Sequence, residues 1–296
     1  MNREDLVDSL VVLRVVMMVV KADGRHEPFM REKLLQSAEQ MGVTPEVAEE
    51  VVREVERQAY DGISTRKLAQ LLQQELRRVP SLAKYGINLR ESLALIRPFP
   101  DFEVFIRGLL RFAGYTVQAG GVWIGRCGEH EIDGVLRHGK ETTVLEVKHH
   151  HNYHTQTGLD VVRIARATLE DFQEGYTQGV TPVKFARHLT VSNTKLSPQA
   201  EKYAQCRGLD FIGWATPTTG GLNALILHHH YYPITFLRGL RPKEHRQFSL
   251  AHIYTLNDLF AKPLEVIASK TGLSQHRLST LVERARCAVD FETTCD

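Results

Sequence analysis

Cysteine is scarce in this chain and scattered: Cys127, Cys206, Cys287 and Cys295 include no CxxC pair. That spacing argues against a zinc knuckle or a disulfide framework, and a reducing, cytoplasmic setting is the expected one. Excess charge of one sign is missing too, since 37 Lys and Arg stand against 35 Asp and Glu for a formal net charge of +2. No bulk basicity announces nucleic acid, so any binding face must be local. The most apolar early run, Leu10 to Val20, carries Arg14 in its middle and is far shorter than the ~20 residues a bilayer span needs. No membrane partner is expected. Met1-Asn2-Arg3-Glu4-Asp5 lacks the basic start of a secretory signal, and no GxxxxGK[ST] run supplies a phosphate-cradling loop that would hydrolyse ATP.

What is present is ordinary globular composition, 43% apolar and 24% charged over 296 residues, enough for two or three domains. The most informative stretch runs from His130 to His151. Ile132-Asp133-Gly134-Val135 and Val144-Leu145-Glu146-Val147-Lys148 read as two strands of a hairpin, with a polar turn from Arg137 to Glu141 between them. Side chains two apart on a strand share a face, so Glu146 and Lys148 project together while Val147 turns toward the core. Asp133 on the paired strand can join them. Two converging carboxylates make an oxygen site for a hard divalent cation, and a nearby ammonium can position a nucleophilic water.

Around these strands the order is also informative. Phe102-Glu103 opens an apolar helix, Gly114-Tyr115-Thr116-Val117 follows, and the Asp133 and Glu146-Val147-Lys148 strands come next. This order resembles the PD-(D/E)xK restriction-endonuclease-like superfamily, nearest its Mrr-like branch, over about Pro100 to His228. The resemblance implies that Asp133 and Glu146 are metal ligands for Mg²⁺ or Mn²⁺, that Lys148 is the catalytic lysine, and that Glu103 completes the site. Ile132 stands where the superfamily motif has proline, a replacement common in this branch. Read by itself, Glu103 is equally a surface acid suited to the first turn of a helix.

Before this region, Val-rich residues 10–20 and a turn at Asp23-Gly24 predict a strand pair, followed by helices over Met30–Met41, Glu46–Ala59 and Ser64–Leu76. By itself this is an α-rich interaction domain. Val20-Lys21-Ala22-Asp23-Gly24, Phe29, Lys33-Leu34-Leu35 and Gly62-Ile63-Ser64-Thr65 resemble an ATP-cone, a nucleotide-sensing module. The resemblance implies that Lys21 and Lys33 face the phosphates of ATP or dATP and that Thr65 approaches the nucleotide. Ala22 replaces the second cation of the usual Lys-Arg pair.

Further strands are expected at Tyr115–Val117, Val122–Ile124, His188–Ser192 and Leu209–Gly213, with helices over Leu159–Gly175 and Ser197–Cys206. Three consecutive histidines, His149 to His151, cannot share one metal from a regular strand and read as a polar loop at the sheet edge. Asn193 to Ser197 offers a phosphate contact near a helix start. Tyr231 to Ser249, with Arg238, Arg241, Lys243 and Arg246, reads as a basic connector, and three helices follow. Their turn at Thr271-Gly272-Leu273-Ser274 resembles a helix-hairpin-helix, which implies backbone contact to DNA; a dimerising tail fits the same residues and leaves room for a homo-oligomer.

The expected fold class is multidomain α/β: an α-rich ATP-cone-like domain over 1–99, a mixed sheet flanked by helices over 100–230, a basic linker over 231–249 and a small helical domain over 250–296. The expected function is a Mg²⁺-dependent DNA endonuclease regulated by adenine nucleotide. A nucleotide-responsive DNA-binding or scaffolding protein that no longer cuts is the alternative.

Overall fold

The computed structural model describes residues 17–21, 24–39, 45–76, 78, 88–217 and 220–289. They fall into two compact units, one carrying the described residues up to 78 and the other those from 88 onward. No described helix is long and apolar enough to cross a membrane.

In the first unit β1 (Met18–Val20) pairs antiparallel with β2 (His26–Pro28), α1 (Arg31–Glu39) and α2 (Pro45–Gln58) follow, and β3 (Ile63–Ser64) returns parallel to β1 before α3 (Thr65–Leu76). Gly24 takes the left-handed backbone that the β1–β2 turn requires, at φ +83°. Ala48, Val51, Val52 and Val55 recur at helical spacing on α2 and are buried, as are Leu68, Leu71 and Leu72 of α3. Arg31 joins α1 to α2 through Glu49 at 3.1 Å and Glu56 at 3.2 Å. The expected strand over 10–20 lies partly outside the described residues, as do Ala22 and Asp23.

The second unit opens with α4 (Leu89–Ala94), whose N-cap Asn88 accepts from the Arg90 and Glu91 N–H groups. An irregular turn over Pro98–Phe102 leads into α5 (Glu103–Phe112). Asp101 does not cap α5: its carboxylate is buried against Arg97 at 2.9 Å and Ser249 at 3.0 Å. Strands β4 (Thr116–Ile124), β5 (Glu129–His138) and β6 (Glu141–Lys148) form an antiparallel meander. After the short β7 (Gln156–Thr157) and α6 (Leu159–Thr177), β8 (Arg187–Ser192) lies parallel to β6. Then β9 (Lys195–Leu196) pairs with β7, α7 (Pro198–Arg207) follows, and β10 (Asp210–Ile212) lies parallel to β8. The main sheet therefore runs β10-β8-β6-β5-β4.

The two short strands expected at 115–117 and 122–124 are one continuous β4. Glycine makes this continuity feasible, because a Cβ at Gly120 would lie 1.8 Å from the Ile132 carbonyl oxygen. Only a residue without a side chain allows that approach beside Asp133.

Each sheet face has its own core. Val135 and Val144 pack with Val162, Leu169 and Phe172 of α6 on one side, whereas Leu136, Leu145 and Val147 pack with Phe105, Ile106 and Leu109 of α5 on the other. Into this second core goes the rest of the chain: α8 (Leu222–His228), a short turn at Ile234–Phe236, α9 (Pro242–Leu250), α10 (Leu256–Phe260), α11 (Leu264–Thr271) and α12 (Gln275–Val289). Residues 231–249 are thus not a linker. Tyr231, Tyr232, Ile234 and Phe236 are buried, and the Tyr231 hydroxyl lies 2.0 Å from where a Cβ of Gly108 would stand. Glu244 of α9, 1% exposed, receives Arg241 at 2.6 Å and Arg277 of α12 at 2.9 Å. The basic residues expected to face DNA are therefore partly spent on an internal ion pair, and the helical C-terminal region shares one core with the sheet. Cys127 and Cys206 are free thiols, whereas Cys287 is disulfide-bonded, which the wide cysteine spacing did not announce.

Candidate active site

Asp133 leaves β5 where Gly120 of β4 approaches its backbone, and Glu146 and Lys148 leave β6 on the face opposite Val147, which is in the α5-side core. Asp133 lies beside the Glu146–Lys148 segment of β6. One Asp133 carboxylate oxygen accepts the Val147 N–H at 2.6 Å, and the Lys148 ammonium lies 2.5 Å from a Glu146 oxygen. Burial, reinforced by the charge of Glu146 and more weakly of Glu103, pushes the Asp133 carboxyl up to about 7 against the Val147 N–H and Lys148, which pull it down. For Lys148, burial alone would lower the ammonium's pKa, but the hydrogen bond and charge of Glu146, with Asp133 behind it, hold it above its usual range.

Glu103 enters through α5. Arg107, one turn later, donates to a Glu103 oxygen at 3.2 Å and to the Asp133 carbonyl oxygen at 2.8 Å, so one guanidinium ties the helix to the strand. Sequence reasoning missed Arg107; its i,i+4 spacing from Glu103 was the available signal. A cleft of about 340 Å³ opens beside Glu146 and Lys148, lined also by Glu131, Asp160 at the start of α6, and His188 of β8. His188 is 2% exposed, and burial drives its imidazole pKa down to about 4. Neither Asp160 nor His188 carried a motif.

The structure gives the histidine run structural partners. His149 bonds the Leu93 carbonyl at 2.9 Å, and the His150 backbone exchanges two hydrogen bonds with the buried Asn193 side chain, each 2.8 Å. Asn193 and Thr194 are therefore internal and Ser197 caps α7, whereas Lys195 between them is exposed. At the Gly272 turn the Gly272 N–H donates to the Ala268 carbonyl and the Leu273 N–H to the Thr271 hydroxyl, which leaves neither for a phosphate.

In the first unit, Lys21 and Lys33 converge on Glu27, at 3.2 and 3.6 Å. Thr65 follows Ser64, which pairs with Val20, so Thr65 and Lys21 emerge at the same sheet edge.

Among the described residues no group of three or more His, Cys, Asp and Glu side chains is arranged to hold a metal ion. The donor set nevertheless fits a hard cation of the Mg²⁺ type, which keeps several waters and takes one or two carboxylates from a protein. Asp133 and Glu146 would supply them, each with one oxygen free of the bonds described above.

A mixed sheet with two carboxylates and a lysine on its central hairpin, joined to a small nucleotide-module-like unit, defines the class as a restriction-endonuclease-like nuclease fold. Comparison with known families agrees: the ATP cone domain matches residues 17–92, and the restriction endonuclease family Mrr_cat matches residues 98–213. The chain therefore carries a Mrr_cat restriction endonuclease domain with an ATP-cone domain ahead of it. An uncharacterized protein of Archaeoglobus fulgidus is 35% identical over 131 residues, 44% of this chain and 70% of that protein. The crystal structure of a protein of unknown function, AF1548, superposes with a TM-score of 0.53 at 27% identity, covering 63% of this chain and 96% of that one. Can2 from Sulfobacillus thermosulfidooxidans, solved with cyclic tetra-adenylate, reaches a TM-score of only 0.28 at 15% identity over 70% of this chain and 63% of that one, too little to carry an argument.

Proposed function

We propose that this protein is a divalent-metal-dependent endonuclease that hydrolyses DNA phosphodiester bonds under the control of an adenine nucleotide bound by the ATP-cone. The observation that carries the reading is the placement of Asp133 on the Val147 N–H, between Glu146 and its partner Lys148, where burial and the Glu146 charge raise the Asp133 carboxyl to about 7. The Glu146 charge bears on Asp133, and two carboxylates that interact in this way repel each other unless a cation or a proton relieves them. Mg²⁺ or Mn²⁺ held there would polarise the scissile phosphate and acidify a bound water. Lys148 then steadies the negative charge that develops on the phosphoryl oxygens and orients the attacking water. Glu103, held by Arg107, closes the site on the helix side and keeps Asp133 in place through that same arginine.

Regulation rests on Lys21, Lys33 and Thr65. The ammonium groups, which share Glu27, would exchange that carboxylate for nucleotide phosphates, and Thr65 would approach the nucleotide from the neighbouring strand end. Incubation of supercoiled plasmid with the purified protein tests the reading. Nicked or linear product with Mg²⁺ or Mn²⁺, and none in EDTA, supports it. DNA bound but uncut in either metal would mark a protein that keeps the fold as a nucleotide-responsive binder.

A further inference from the structure

Arg90 stands out among the arginines of the second unit. Arg107 and Arg277, themselves partly buried, sit on the carboxylates of Glu103 and Glu244. Arg90 is partly buried, and among the described residues no carboxylate is paired with it. Its guanidinium lies 5.4 Å from the centre of the Tyr153 ring and 5.9 Å from that of Trp214. Its Nη2 donates to the Tyr153 carbonyl oxygen at 2.5 Å, and its Nε is enclosed without an acceptor. A guanidinium has five N–H donors, so most of its hydrogen-bonding capacity has no protein partner among the described residues. Desolvating a cation without an anion costs stability, and a fold tolerates that cost where a ligand supplies the missing charge.

The position narrows what the ligand is. The parallel strands β6, β8 and β10 end side by side, with Lys148 paired to Ser192 and Val191 to Ile212. Tyr153 lies in the loop that leaves β6 directly after Lys148, and Trp214 follows β10, its backbone N–H donating to the Thr194 carbonyl. Arg90 is thus stacked at the carboxyl ends of the parallel strands, the edge at which Lys148 stands and where open α/β sheets bind their ligands. An arginine placed over two aromatic rings and anchored through one nitrogen to the Tyr153 carbonyl keeps a planar fork of donors that matches a phosphate.

We propose that Arg90, on its platform of Tyr153 and Trp214, binds a backbone phosphate of the DNA strand as that strand passes the Asp133–Glu146–Lys148 centre. This rests on the nuclease reading above. It assigns to α4, which precedes the sheet in sequence, a part of the DNA track.

Binding of a labelled DNA duplex to the full-length protein in EDTA, where no cutting occurs, tests it as a function of salt. Loss of one phosphate contact flattens the slope of log affinity against log salt by about 0.9. Arg90→Gln should show that change and bind about tenfold more weakly at fixed salt. Arg90→Lys, which keeps the charge and loses the fork, should recover the slope but only part of the affinity. An unchanged slope in a folded Arg90→Gln protein would reduce Arg90 to a pin for the 149–154 loop and leave the nuclease reading standing. Wild-type protein that bound no DNA would sink both.

Because Arg90→Gln could unfold α4, a second measurement uses the Arg90 platform itself. With Trp123→Phe, the remaining Trp214 reports on its neighbour, and unlabelled duplex should shift its emission whereas ATP at equal phosphate concentration should not. No shift with saturating duplex overturns the proposal, and a shift with ATP alone reassigns the anion to a free nucleotide.

Discussion

Asp133 is the residue on which the chemistry turns, because its proton and a cation compete for the same oxygens. Its carboxyl, raised to about 7, keeps a proton in the folded protein that an unfolded aspartic acid gives up near pH ~4. The sign follows: without metal the native state binds more protons across that window, so stability is greatest at its acid end and falls as pH rises from about 4 to about 7. Denaturant melts in EDTA at stepped pH should show this slope, and Asp133→Asn should remove it. A cation needs the ionised form, so Mn²⁺ affinity should rise over the same range, with about one proton released per ion bound. The neighbourhood of Asp133, Glu146 and Lys148 was legible beforehand because strand alternation fixes which side chains share a face. Arg107, Asp160 and His188 were not. Their relation to the centre depends on how α5, α6 and β8 pack on the hairpin, and no local period records that.

Individual elements show the same division. The β5–β6 hairpin and α6 follow from residues whose apolar spacing has a clear period, and their expected and observed bounds nearly coincide. The single strand β4 was hidden because Gly120 and Gly121 interrupt the apolar pattern just where the chain needs to pass close to Ile132. Adding one methyl there forces backbone apart, so Gly120→Ala should cost about 1–3 kcal/mol and disturb the Asp133 strand, detectable as a lowered melting temperature together with weakened Mn²⁺ binding. Residues 231–249 were misread for a different reason. Prolines and charges dominate their composition, while Tyr231 packs against the distant Phe105 and Phe112 of α5 and Tyr232 stacks on Phe236. Glu244 is the anchor of this region: burial pulls its pKa up, but hydrogen bonds from Arg277 and Arg241 outweigh this and hold it at about 2. The stabilising contribution is therefore present above the usual carboxylate pKa and is lost as pH falls toward about 2. Glu244→Gln leaves Arg241 and Arg277, both partly open to solvent, without their carboxylate, and a loss of roughly 1–3 kcal/mol in equilibrium unfolding is expected.

For the molecule as a whole, the shared core of sheet and C-terminal helices decides what can be removed. Truncation after His230 would strip Phe236, Phe248, Leu278 and Leu281 from the core that also holds Phe105 and Leu145. The shortened chain should fail to fold, seen as loss of a cooperative melt, so the tail cannot be tested for DNA affinity by deletion. In the ATP-cone unit, Glu27 sits on the two lysines that would face a nucleotide. Glu27→Gln in the full chain should tighten ATP or dATP binding about two- to fivefold by calorimetry, the scale of an exposed ion pair, whereas Lys33→Ala should weaken it. The central claim is that two carboxylates hold the cation and Lys148 acts on the phosphate, and one paired measurement on Asp133→Ala, Glu146→Ala and Lys148→Ala tests it most directly. Each variant is titrated with Mn²⁺ and then given supercoiled plasmid in the same metal. The account predicts that Lys148→Ala still binds the ion and cuts at least about 100-fold more slowly, while Asp133→Ala and Glu146→Ala lose both binding and cutting. Cutting by Glu146→Ala at the wild-type rate would contradict it.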